Sequence, residues 1–219
     1  MTAAHVVAID GAAGSGKSTL ARRLAILLDL PYVNTGLMYR WLASEAIRRG
    51  VSPEDAAGLL RLTERSRFRL TGTSPRELQV DGHTDAELTA PDVERTVSAV
   101  AAHPAVRSWM RDAQRKLGEA GAVMEGRDIG SVVFPDAPVK IYLLAHADDR
   151  ISRRADERRD RTAAEVAAAL EARDQLDART NPFAPAPGAS VIDTGALDAD
   201  AVVEAALDVI RRLAPELLP

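Results

Sequence analysis

The chain has 219 residues, which fit one large domain, or one domain carrying insertions, able to bury a full core without a disulfide or metal staple. It is 46 % hydrophobic, 27 % charged and only 4 % aromatic, a globular composition whose core must be built mainly from Ala, Leu, Val and Ile. With 28 basic and 32 acidic residues the net charge is −4, which excludes general attraction to nucleic acid, and the absence of cysteine excludes disulfides, zinc thiolates and iron–sulfur clusters. The start lacks the basic residues of a secretory signal, and no stretch approaches the ~20 apolar residues of a membrane span. A soluble cytoplasmic protein with no membrane partner is expected.

Residues 5–10 form an apolar run of the kind buried on both faces of a parallel sheet. A glycine-rich turn and a helix over 18–28 follow. Pro31-Tyr32-Val33 reads as a short strand, 37–49 as an amphipathic helix stopped by Gly50, and Ser52-Pro53-Glu54 as a cap opening a helix to about residue 65. The pattern then alternates: 68–70, 78–80 and a weaker run at 83–88 predict a small antiparallel insertion over about 66–89. Helices at 91–101 and 104–118, strands at 122–124 and 139–144, and helices at 147–160 and 162–178 follow. A short Pro/Ala linker at 181–188, a strand at 189–192 and a helix at 198–213 complete the chain. Strands alternating with helices imply a mostly parallel sheet flanked by helices, an α/β fold whose ligands sit at the carboxyl ends of the strands.

Gly11-Ala12-Ala13-Gly14-Ser15-Gly16-Lys17-Ser18, followed by Thr19, fits G-x-x-x-x-G-K-[ST] without a gap, between a predicted strand and a predicted helix. The chain holds only three lysines, so a chance match is expected roughly once in a thousand such sequences. Glycines let backbone N–H groups turn toward a phosphate, and the helix start adds its positive end. Lys17 supplies a compact cation for the terminal phosphates, and the Ser18 hydroxyl can ligate Mg²⁺. The segment predicts a bound nucleoside triphosphate.

The acceptor is less directly legible. No guanine-reading N-K-x-D occurs, and the strand at 122–124 ends in Glu125 rather than Asp, which disfavours GTPases and mechanical ATPases. Arg40, Arg107, Arg127 and Arg173 stand singly near predicted strand ends or on nearby helices, where an arginine can grip a second phosphate or simply face solvent.

These segments together resemble bacterial cytidylate (CMP) kinase over nearly the whole chain. The resemblance rests on residues 7–18, on Asn34-Thr35-Gly36-Leu37-Met38-Tyr39-Arg40, and on 97–101 with Pro104-Ala105-Val106-Arg107. It rests above all on Glu125-Gly126-Arg127-Asp128-Ile129-Gly130 continuing to residue 141, and on Arg173-Asp174 with Asp177. It implies a P-loop kinase fold in a single domain. The core would lie at about 1–35, 119–146 and 188–219, the acceptor-binding region at about 36–118, and a helical lid at about 147–165.

The resemblance further implies that ATP with Mg²⁺ phosphorylates CMP and dCMP. Ser98, Arg107 and Asp128 would read the base, Arg40 and Arg127 would bind the acceptor phosphate with Thr35 close by, and Arg173 and Asp177 would contact sugar and phosphate. Lys17, Arg127, Asp128 and lid residue Arg154 would be catalytic. At least two of Arg150, Arg154 and Arg158 would close over the ATP phosphates, although the acidic residues interleaved at 148–160 equally suit a salt-bridged exposed helix. The family's usual R-D-x-x-D-x-x-R ends here in Thr180, with Arg179 one residue early, an offset of about 100° on a helix. A monomer is expected. The rival readings are a monophosphate kinase of relaxed or UMP preference and, more remotely, a non-catalytic ATP-binding partner protein.

Overall fold

A computed structural model describes residues 5–157, 162–180 and 184–219. Strand β1 (Val6–Gly11) is buried along its entire length because it lies between two parallel neighbours, β5 (Ala122–Gly126) and β6 (Val139–Leu144), with helices over both faces of the sheet. This is why the segment reads as a continuous apolar run rather than an alternating one. Alternation still operates across the sheet. Val6 and Ala8 face one core with Val33 and Met124, while Val7 and Ile9 face the other with Val123 and Ile141.

Seven strands form one sheet in the order β3-β4-β2-β5-β1-β6-β7, with β2 at Tyr32–Asn34, β3 at Phe68–Thr71, β4 at Glu77–Val80 and β7 at Ser190–Asp193. Only the β3/β4 pairing is antiparallel. Helices α1 (Lys17–Leu27) and α9 (Ala199–Leu213) pack on one face. On the other lie α2 (Thr35–Arg49), α3 (Ala56–Thr63), α5 (Pro91–Ala101) and α6 (Pro104–Leu117). Helices α7 (Ala147–Glu157) and α8 (Ala163–Thr180) connect β6 to β7. Among the described residues no helix is long and apolar enough to cross a membrane.

Three local expectations are corrected. The weak run at 83–88 is not a third strand but a single helical turn, α4 (Asp85–Leu88). Thr84 and Glu87 form a reciprocal capping box there, and a cap of that kind commits the chain to a helical turn. Helix α3 begins at Ala56 rather than at Pro53. The Ser52 hydroxyl accepts only the nearby Glu54 amide, at 3.3 Å, and it is Asp55 that caps the helix, accepting from the Gly58 amide at 2.9 Å. The β insertion is no separate sheet. The Tyr32 amide donates to the Arg76 carbonyl at 2.8 Å and so joins the hairpin to β2, while Phe68 packs edge-on against Trp41 at 5.5 Å.

Candidate functional site

The carboxyl ends of β1, β2 and β5 lie side by side, so three short segments distant in sequence meet there. After β1 the chain turns through Gly14 (φ 75°) and Gly16 (φ 89°), left-handed conformations that a side chain would strain. At Gly14 an added Cβ would also come within 3.2 Å of the Arg150 backbone carbonyl. Gly16 caps α1, which places Lys17 and Ser18 in its first turn.

A cavity of about 320 Å³ opens beside this turn. Its wall contains Lys17, Ser18 and all eight residues expected to hold an acceptor nucleotide: Thr35, Arg40, Ser98, Arg107, Arg127, Asp128, Arg173 and Asp177. Arg154 lines it as well. A second cavity of about 220 Å³ lies on the other side of the turn, lined by Ser15, Gly16, Thr19, Arg153, Thr194 and Asp198 among others. The expected phosphate-binding residues divide accordingly: Ala13, Gly14, Lys17 and Ser18 border the first cavity, Ser15, Gly16 and Thr19 the second, and Gly11 and Ala12 neither.

Ion pairs set the shape of the first cavity. Arg107 on α6 pairs with Asp128 just after β5. Asp177 accepts from Ser98 Oγ at 2.9 Å and pairs with Arg127 at 2.8 Å and, one helical turn back, with Arg173 at 3.7 Å. Arg127 also donates to the Gly11 carbonyl at 3.2 Å, and burial draws its pKa down to about 10 despite the neighbouring Asp177. Lys17 Nζ donates to the Ala12 carbonyl at 2.6 Å. Burial, reinforced by the like charge of Arg127, lowers its pKa to about 7.

Helix α7 lies over the glycine-rich turn: Arg150 donates to the Ala13 carbonyl at 3.1 Å and pairs with Asp174 at 2.7 Å, while Arg154 pairs with Glu94 at 2.7 Å. Arg158 and the side chain of Arg179 lie outside the described residues.

Four contributors escaped the sequence reading. Asp10, buried at the end of β1, accepts from the backbone amides of Ile129 and Gly130 at 2.8 Å each and so holds the π-helical turn (Ile129–Val133) that follows Arg127-Asp128. Burial raises its pKa to about 6, against the lowering effect of those two amides. The signal was present, since a lone acid ends an otherwise apolar buried strand. Tyr39 lines the cavity, and burial raises its phenol to about 12. Arg153 donates to Thr194 through both terminal nitrogens, at 3.0 and 2.6 Å. Glu94 reads in sequence as one more polar residue of an amphipathic helix. Conversely, Arg22 and Arg23 are surface residues, paired with Glu77 at 2.9 Å and Asp200 at 2.6 Å.

A hydroxyl and a carboxylate stand together at the mouth of α1. Ser18 Oγ donates to Glu125 Oε2 at 3.0 Å, and the buried Glu125 also accepts from Tyr32. Hard oxygen donors of this kind suit Mg²⁺, which takes one or two protein ligands and draws the rest from phosphate and water. Among the described residues no group of three or more His, Cys, Asp or Glu is placed to cage a metal.

The cytidylate kinase family model matches residues 7–212. A cytidylate kinase of Granulibacter bethesdensis is 40 % identical over 220 residues, covering 96 % of this chain and 98 % of the relative. One from Thermus thermophilus is 44 % identical over 211 residues, covering 94 % and 99 %. A crystal structure of an uncharacterized protein from Eubacterium ventriosum superposes with a TM-score of 0.52 at 16 % identity, over 94 % of this chain and 98 % of that one, a likeness of fold alone. A match over nearly the full length, by relatives that are themselves matched end to end, makes this chain a member of the cytidylate kinase family.

Proposed function

We propose that the protein transfers the terminal phosphoryl group of ATP to CMP and dCMP, giving ADP with CDP or dCDP. The observation that carries this reading is the pairing of Arg107 with Asp128 in the cavity wall that also holds Lys17. Together the pair presents guanidinium donors beside carboxylate acceptors. Cytosine offers acceptors at N3 and O2 and a donor at N4, so the complement is matched. Uracil carries N3–H and O4, and would set donor against donor and acceptor against acceptor. Each buried mismatch costs about 1–3 kcal/mol.

The triphosphate would lie on the glycine-rich turn, with its base and sugar toward the 220 Å³ cavity and its terminal phosphate toward Lys17. Arg40 and Arg127 would take the acceptor phosphate, with Thr35 beside them. Asp177 keeps acceptor capacity beyond the bonds from Ser98 and Arg127, so with Arg173 it can accept from a sugar hydroxyl.

In-line transfer asks the chain for position and charge rather than covalent chemistry. Lys17, Arg127 and Arg154 all border one cavity and can gather around the migrating group. Ser18, with Glu125 behind it, would hold Mg²⁺, whose charge offsets that of the phosphate oxygens when bound. Residues at about 147–165 would act as a lid over the core and those at about 36–118 as the acceptor region, excluding water when both nucleotides are present. The protein would act as a monomer.

The deciding experiment compares kcat/KM for CMP, dCMP, UMP and AMP with ATP as donor. CMP and dCMP are expected to exceed UMP by a hundredfold or more, about the cost of two mismatches. Near-equal values for CMP and UMP would establish the relaxed-specificity reading instead, and no turnover with any monophosphate would establish the non-catalytic one.

A further inference from the structure

Glu94 lies on α5 and does not line the cavity, yet its Oε1 meets arginines from two different walls. Arg154 of α7 pairs with it at 2.7 Å, and Arg40 of α2 at 3.7 Å. The side chains of Glu94 and Arg40 are largely buried, at 16 % and 13 % exposure, so the interaction is only weakly screened by water. Arg40 is fixed further by donating to the Leu88 carbonyl at 3.1 Å, whereas Arg154 belongs to the helix lying over the glycine-rich turn. Two guanidinium groups converging on one oxygen repel each other unless an anion stands between them. Glu94 is that anion, and both arginines also line the cavity, where a guanidinium suits a phosphate.

We propose that Glu94 is a positioning residue that ties Arg154 of α7 to Arg40 of the acceptor wall, so that the two arginines act on the phosphates as one unit. The inference rests on the phosphoryl-transfer reading above and adds a residue to it. Glu94 touches neither nucleotide in this scheme. It acts through the two arginines, by holding their charges together and drawing α7 toward the acceptor side.

The test is a kinetic double-mutant cycle on the full chain, with ATP and CMP. E94Q is expected to lower kcat/KM for CMP at least about tenfold. E94D, which keeps the charge, should recover part of that loss. In an R154Q background E94Q should cost nothing further, or even improve turnover, because the carboxylate then has one fewer cation to hold. Multiplicative losses for E94Q and R154Q would show that Glu94 acts independently of Arg154 and would overturn the proposal. Unaltered kinetics in E94Q would do the same. Should the glutamine variant fold poorly, the E94D and R154Q pair completes the same cycle. Absence of CMP-dependent ADP formation by the unaltered protein would instead defeat the reading on which the proposal rests, and the two failures are thereby distinguishable.

Discussion

At Lys17 two effects oppose each other. Burial and the nearby Arg127 lower its pKa to about 7, whereas a bound polyphosphate favours the ammonium form. Because the folded value lies below the ordinary one of 10.5, this group supports stability above that ordinary value, and the support is lost as pH falls through about 7. The same shift makes nucleotide binding take up a proton. Calorimetric titration with ATP at about pH 8.5, where the nucleotide itself no longer titrates, should give enthalpies that depend on the ionisation heat of the buffer with the sign of proton uptake. Buffer-independent enthalpies would place the triphosphate away from this side chain. At Arg107 the test is selectivity: R107M should raise KM for CMP by about ten- to a hundredfold and shrink the CMP-over-UMP ratio by a similar factor, with the KM for ATP retained. Both residues could be named from the chain alone, Lys17 from a gapless motif and Arg107 from a resemblance. Asp10 and Glu94 could not be assigned roles in that way. Their partners are the Ile129 and Gly130 amides and two arginines on other helices, none of them nearby in sequence.

Among the elements, the helix ends illustrate how local chemistry and tertiary packing share control. Asp198 accepts from the amides of Asp200 and Ala201 at 3.0 and 2.8 Å and so starts α9, as the sequence predicts. D198A should cost about 1 kcal/mol and lower the melting temperature by about 2–4 °C, read by thermal unfolding, while the KM for CMP stays the same. At α3 the sequence points to Ser52 with Pro53, whereas the helix starts three residues later, on the Asp55 carboxylate that accepts from the Gly58 amide. The alternating run at 83–88 misleads for a related reason. Its apolar residues are few, and the four-residue Thr84–Glu87 cap outweighs so weak a period.

Across the whole molecule, a single sheet carries an apolar core on each face and brings its functional turns together at one end. Helices on both faces contribute to the cavity, α1 from one and α2, α5 and α6 from the other. Acceptor binding is thereby linked to the stability of the entire fold. At a hundredfold excess over its dissociation constant, CMP should add about 2.7 kcal/mol and raise the melting temperature by about 5–10 °C. UMP at the same concentration should raise it far less. Equal shifts for the two nucleotides in a thermal-shift measurement would contradict base reading by the Arg107–Asp128 pair.

The order of strands and helices, the phosphate turn and most of the cavity wall could be read without coordinates. The first two are written locally, in hydrophobic period and glycine spacing, whereas the cavity wall was implied by the family resemblance of runs such as Glu125-Gly126-Arg127-Asp128. Tertiary structure alone decided how charges on separate elements pair: Arg107 with Asp128, Asp177 with Ser98 and Arg127, Glu94 with Arg40 and Arg154. It also decided that the β3–β4 hairpin extends the main sheet through Tyr32. Both outcomes depend on long-range contacts whose partners are chosen by three-dimensional proximity and low local dielectric, and neither leaves a periodic mark on the chain.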